Sequence, residues 1–123
     1  MIMTEQEKRV YMLLKAVIYH YHGLDEMEKI DLEETATRLD AAEELKWALE
    51  FVAKDYLTAF DRARAYLNDI IGDYVKDKRI ELINMVWQSN NLKGYVTEME
   101  VTAMLKLAKD WNVEKELIEM VLK

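Results

Sequence analysis

The sequence predicts an all-α protein, and three observations carry that prediction. The 123 residues contain no proline and only three glycines, so the chain has few local means of turning other than helix ends. Apolar residues recur at i, i+3, i+4 and i+7 in one window after another, the spacing of a single buried helical stripe. The segment Gly94-Tyr95-Val96-Thr97-Glu98-Met99-Glu100 then separates two such windows. Gly94 adopts left-handed angles without a Cβ clash, Val96 can fold inward as a staple, and Thr97 with Glu100 forms a capping box.

Seven helices follow in order. The first runs from about Glu5 to His22, with Val10, Leu13, Leu14, Val17 and Tyr21 on its stripe, and Gly23 stops it. A charged loop from Leu24 to Lys29 leads to a weaker echo of the later motif, where Asp31 can cap and Glu34 can answer. Leu32, Ala36 and Leu39 point inward on the short helix beyond. Asp40-Ala41-Ala42-Glu43 reads as another cap box, opening a third helix on Leu45, Ala48, Leu49 and Val52. Thr58 to Asp61 offers a fourth start, with Phe60, Ala63, Leu67 and Ile71 as the stripe, and Gly72 and Asp73 end it. The fifth helix centres on Ile80, Ile83 and Trp87 and runs out in Gln88-Ser89-Asn90-Asn91. The sixth begins after Thr97 on Val101, Met104, Leu105 and Ala108. Asn112 can cap the last, which bears Val113, Leu117, Met120 and Val121. The halves overlay at an offset of 66 residues, placing Asp31 on Thr97, Glu34 on Glu100 and Leu39 on Leu105. Either a duplicated helix–turn–helix unit or two amphipathic pairs that agree in part would give this overlay.

Composition bounds the function. Hydrophobic residues at 51% and charged residues at 33% suit a folded domain with a core of its own. The absence of cysteine excludes disulfides, thiolate zinc sites and a cysteine nucleophile, and fits a reducing cytoplasm. The start of the chain lacks the order of a signal peptide, and no run approaches the ~20 apolar residues of a membrane span. The net charge of −7 is uneven: residues 31–61 hold nine acidic and three basic side chains, residues 62–96 six basic and four acidic. That balance argues against sequence-independent nucleic-acid binding, which rests on Lys and Arg meeting phosphates.

At Gly94, Val96 and Glu100 the chain resembles the tellurite-resistance TerB-like helical domains. That family shows Asp-Gly, one residue, Ile or Val, three residues, then Glu between two helices, often once in each half. Lys78-Arg79 with Ile80 to Trp87 resembles the helix before this motif, and Lys106 to Val113 the segment after it. The likeness covers residues 58–123 and, more loosely, 10–50. It implies a compact bundle forming a single domain over residues 1–123, with a non-catalytic binding or scaffold role related to stress or tellurite resistance. The family's paired acidic loops have been suspected of holding a metal. Here Lys93 stands where the family has Asp, and Met27 and Glu28 fall on the Asp-Gly positions of the first half, where only Ile30 and Glu34 agree.

The remaining chemistry-bearing residues are few. His20 and His22 point ~200° apart on a helix and cannot chelate one ion while helical. Asp25, Glu26, Glu28, Asp31, Glu33 and Glu34 lack the alternation and central glycine of a calcium loop, and helix-start charge accounts for most of them. Eight methionines and the aromatics Tyr19, Tyr21, Trp47, Trp87, Tyr95 and Trp111 read mostly as core or rim. No Gly-rich phosphate loop is present, and no Ser or Thr is visibly paired with a histidine. The expectation is therefore a non-enzymatic cytoplasmic module with no cofactor, no catalytic residue and no metal ligand. Its partner is expected to be a protein, with no nucleic acid and no membrane insertion, and with self-association open. The expected interaction surface is Asp31, Glu33, Glu34, Asp40, Glu43 and Glu44, on the acidic half rather than on the last two helices. Two other readings stay open: an acidic divalent-cation binder using Asp25 to Glu34, and an acidic phosphate mimic that occupies a nucleic-acid-binding protein.

Overall fold

The computed structural model describes residues 3–21, 25–94 and 96–122, Lys93 by its backbone alone. The readings of His22, Gly23, Leu24 and Tyr95, and of the Lys93 side chain, lie outside the described residues. Among those described there are seven α-helices and no strand: α1 Glu5–Tyr21, α2 Glu26–Leu39, α3 Ala42–Ala53, α4 Ala59–Ile71, α5 Lys76–Asn90, α6 Glu98–Asp110 and α7 Glu114–Val121. A 3₁₀ turn, Asn91–Lys93, follows α5. The protein is all-α, and none of the helices is long and apolar enough to cross a membrane. The chain resolves into two compact units, Met1–Ala63 and Arg64–Lys123.

In the first unit α1 is the central helix, packed chiefly against α3 and also against α2. Thr4 and Glu7 open it with reciprocal bonds: Glu7 N donates to Thr4 Oγ1 at 3.1 Å and Thr4 N to Glu7 Oε1 at 3.0 Å. The sequence stripe named Val10, Leu13, Leu14 and Val17, and all four are buried, but so is every residue from Met12 to Tyr19. A helix covered on all sides leaves no wet face for a polar residue, yet Lys15 sits in the middle of it at 7% exposure. Its Nζ donates to Asp31 Oδ2 at 2.5 Å and to Thr35 Oγ1 at 3.1 Å, both from α2. Tyr19 Oη donates to the same Asp31 oxygen at 2.5 Å.

That demand relocates the start of α2. Asp31 is not the cap, because its carboxylate is taken by Lys15 and Tyr19. Asp25 caps instead: Glu28 N donates to Asp25 Oδ1 at 2.8 Å, and Asp25 N to Glu28 Oε1 at 3.2 Å. The expected charged loop before Lys29 is thus helix from Glu26 onward. Asp40 does not cap α3 either. It ends α2 in the left-handed region (φ 53°), its amide bonding back to Thr37, while Ala41 amide bonds to Ala36 at 2.8 Å. α3 then starts from Ala41 with no side-chain cap.

In the second unit α5 packs against α6 and α7. The polar run at its end is not a fraying tail: Ser89 and Asn90 are buried and helical. Gly94, at φ 87°, closes the 3₁₀ turn, and a Cβ there would meet nothing within 4 Å, so its requirement is purely backbone. The capping box stands as the sequence reads it, with Glu100 N donating to Thr97 Oγ1 at 3.2 Å and Thr97 N to Glu100 Oε1 at 2.8 Å. Asn112 does not cap α7. It terminates α6 at φ 56°, and Val113 takes the N-cap position with no side-chain bond. Trp111, 2% exposed, donates Nε1–H to Asn68 Oδ1 at 3.2 Å and accepts Arg79 Nη1 at its carbonyl at 2.6 Å.

Both units follow one local plan, but at an offset of 72 rather than 66 residues. Asp25 corresponds to Thr97 and the buried Glu28 to the buried Glu100. Leu32 and Ala36 correspond to Met104 and Ala108, and left-handed Asp40 to left-handed Asn112. Ala41 and Val113 share the same backbone angles, near φ −125° ψ 32° and φ −128° ψ 27°. Ala41 N to Ala36 O at 2.8 Å matches Val113 N to Ala108 O at 2.9 Å. Upstream, buried Val10, Leu13 and Leu14 of α1 match buried Leu82, Met85 and Val86 of α5. The 66-residue overlay fails because it aligns Asp31, an ion-pair partner, with Thr97, a cap.

Two stability outcomes follow. Asp31→Ala strands the Lys15 ammonium in the core and is expected to cost about 2–4 kcal/mol, whereas Lys15→Met with Asp31→Leu recovers most of that loss. Urea melts of the three proteins check this. Thr97→Ala is expected to lower unfolding free energy by about 1 kcal/mol in the same assay, the usual worth of an N-cap.

Candidate functional site

The expected acidic surface divides once its residues are placed. Asp31 faces Lys15 and Tyr19 and is half-buried. Glu33 and Glu34 are exposed on α2, where with Thr37 and Arg38 they line a shallow open depression. Asp40 sits exposed at the end of α2, its backbone carbonyl accepting Lys8 Nζ at 2.9 Å. Glu43 is exposed and Glu44 half-buried on the first turn of α3. The structure therefore brings Glu33 and Glu34 together and turns Asp31 away from them. Among the described residues no three His, Asp or Glu side chains converge on a point where an ion would sit. The geometry supplies a reason in the Asp25–Glu34 run: Asp25 and Glu28 oxygens accept backbone amides and Asp31 accepts Lys15.

A second feature of the first unit was not legible as a site. Val17, His20 and Tyr21 of α1, Ala59 and Phe60 of α4 and the intervening Tyr56 and Leu57 enclose a cleft of about 210 Å³. Its outer wall is a short turn after α3, and three bonds from one arginine hold it. Arg62 donates to Phe51 O at 2.9 Å, Asp55 O at 2.8 Å and Thr58 Oγ1 at 2.9 Å. Its guanidinium also lies 5.0 Å from the centre of the Phe51 ring. Asp55 Oδ1 accepts the Leu57 amide at 3.0 Å, a side-chain turn that sets the backbone beyond it. The result holds Tyr56 at 62% and Leu57 at 96% exposure on a braced turn. The rings pair across the cleft, His20 with Tyr56 at 5.4 Å and Tyr21 with Phe60 at 5.2 Å between centroids. The signal in the sequence was Tyr56-Leu57, two large apolar residues amid Lys54, Asp55 and Thr58 with no helical stripe to claim them.

Electrostatics of the cleft follow from burial. Desolvation pushes the His20 imidazole below its ordinary value of 6.5, because the charged form loses water when the ring is covered. At neutral pH the cleft thus presents a neutral imidazole with one donor and one acceptor nitrogen, beside aromatic faces and apolar groups. Such a surface suits an apolar or aromatic group carrying one polar atom, and its size admits a side chain rather than a large cofactor.

In the second unit an ion-pair cluster is structural in position. Burial pushes Asp110 upward, but hydrogen bonds from Arg64 and Asn68 and the Arg64 charge outweigh it and hold the carboxyl below its usual value. Arg64 binds both Asp110 oxygens, at 2.9 and 3.0 Å. In the same unit, α6 and α7 leave an apolar groove between Val101, Leu105, Ile118, Val121 and Leu122, floored by Met104 and Leu117.

No family model matches the chain, and neither a curated protein nor a solved structure matches it.

The depressed His20 value fixes a sign for pH dependence. The folded state holds the proton less tightly than the unfolded chain, so this contribution to stability is complete above about pH 6.5. It is lost as pH falls through the lower, folded-state value. Melting temperatures from pH 7.5 down to pH 5 are expected to fall more steeply for the natural chain than for His20→Gln.

Proposed function

We propose that the chain is a non-catalytic helical binding module of the TerB-like class, acting in the cytoplasm, and that it recognises a protein partner. The observation that carries this reading is the Arg62-braced turn. It fixes Tyr56 and a Leu57 side chain in water above an aromatic cleft, where neither contributes to the first unit's core. An exposed apolar pair on a rigid mount is costly in solvent and is the form an interface anchor takes.

The acidic residues add direction. The carboxylates of Glu33, Glu34 and Glu43 accept no hydrogen bond from another described residue and enter no ion pair with one; Glu33 accepts the Thr37 hydroxyl only at its backbone carbonyl. Like charges so placed repel one another and raise the encounter rate with a basic partner. The TerB-like reading draws support from Gly94, Val96 and Glu100, and from the equivalence of Glu28 with Glu100, which gives each unit one buried glutamate in the first turn of a helix. Relevance to stress or tellurite resistance is proposed on that resemblance alone.

Immobilised natural chain, Tyr56→Ser/Leu57→Ser, and the Gln variant of Glu33, Glu34, Glu43 and Glu44 test this by quantitative mass spectrometry of captured proteins. The Ser variant is expected to lose its specific partner with far-UV circular dichroism unchanged. The Gln variant is expected to capture less, most visibly at low salt. Undiminished capture by both variants would overturn the proposal.

A further inference from the structure

The groove between α6 and α7 has no covering element among the described residues, although it is apolar throughout. Ile118 is 47%, Val121 38% and Leu122 80% exposed, and Val101 and Leu105 are half-buried along the opposite wall. Its occupant is indicated by the charges beside it. Glu98, Thr102, Leu105 and Lys109 stand at i, i+4, i+7 and i+11 and so share one line along α6. The line is acidic at its N-terminal end, apolar and neutral in the middle, and basic at its C-terminal end.

Glu98 and Lys109 are both exposed, and neither forms an ion pair with another described residue. They are separated by eleven helical positions, about 16 Å along the axis. Laid antiparallel on a copy of itself, the line meets its own complement. Glu98 then faces Lys109 of the other copy, Thr102 faces Leu105, and the two-fold axis passes midway between them. The macrodipoles of two antiparallel helices oppose each other in the same sense. A partner of one charge sign would satisfy one end and be repelled at the other.

We propose that this groove is the interface of a homodimer, with α6 of each copy antiparallel to α6 of the other and the apolar walls of the two grooves buried together. The interface is isologous, so each Glu98–Lys109 pair occurs twice. Leu105 lies beside the two-fold axis, Ile118, Val121 and Leu122 exclude water to either side of it, and the two ion pairs fix direction and register.

Sedimentation equilibrium on the 123-residue chain tests this, with charge reversals as the probe. The natural chain is expected to approach twice its monomer mass of 14.6 kDa over a micromolar concentration series. Glu98→Lys and Lys109→Glu each turn two attractive contacts repulsive and should weaken dimerisation about tenfold. The double reversal restores opposite charges across the axis and should return the dissociation constant to within about threefold of natural. Ile118→Glu should yield a monomer with unchanged far-UV circular dichroism. A natural chain that stays monomeric at millimolar concentration overturns the proposal and leaves the groove to a different protein. Single reversals without effect, or a double reversal that fails to rescue, overturn the antiparallel register.

Discussion

The capping box is the interaction on which both units rest. In each, a short polar residue accepts an amide of the incoming helix while a glutamate three positions on reaches back to the cap amide. Glu28 and Glu100 are 2% and 1% exposed while Asp25 and Thr97 are exposed, so each box ties a surface cap residue to a buried glutamate. A buried carboxylate without such partners would be strongly disfavoured. Once the box is set, the stripe of the helix after it is set too, and Leu32 and Ala36, or Met104 and Ala108, turn inward together.

The far end of each helix is governed by a second constraint, a residue held at positive φ. Asp40 and Asn112 are the only described non-glycine residues in that region, at 53° and 56°. Asp and Asn tolerate it best among residues with a Cβ. They reverse the chain in the space of one residue, so that Ala41 and Val113 bond back onto α2 and α6 while starting the next helix. In the first unit the central α1 adds its own requirement: Lys15, closed in on all sides, draws Asp31 and Thr35 onto one face of α2 and so fixes that helix's rotation.

The helices themselves were legible because periodicity survives any tertiary context: all seven appear, and Ala63, Leu67 and Ile71, or Met104 and Ala108, are buried as their spacing requires. The Thr97–Glu100 box was legible because Thr97 has no rival use. Asp25–Glu28 was not, since Asp25, Asp31 and Asp40 are chemically alike and only the position of Lys15 assigns one to a cap, one to an ion pair and one to a left-handed turn. Asn112 misled for a related reason, as Asn serves both as an N-cap and as a helix terminator. The cleft was illegible because its braces come from distant positions: Arg62 reaches the carbonyls of Phe51 and Asp55, contacts that no local pattern announces. Of the acidic surface, the exposure of Glu33, Glu34 and Glu43 was legible and the withdrawal of Asp31 was not.

Polar groups buried in the two units hold helices in place, while the large apolar groups left in water include those on α7 and on the turn after α3. The two units share one register, from their cap residues to their left-handed turns. The most direct measurement of that register is the effect of glycine at its two left-handed positions. Asp40→Gly and Asn112→Gly each relieve a Cβ strain at positive φ, so denaturant unfolding should show both variants as stable as the natural chain or more so, by up to about 1 kcal/mol. A loss of about 1 kcal/mol at either position, the cost of glycine within a right-handed helix, would contradict the shared plan.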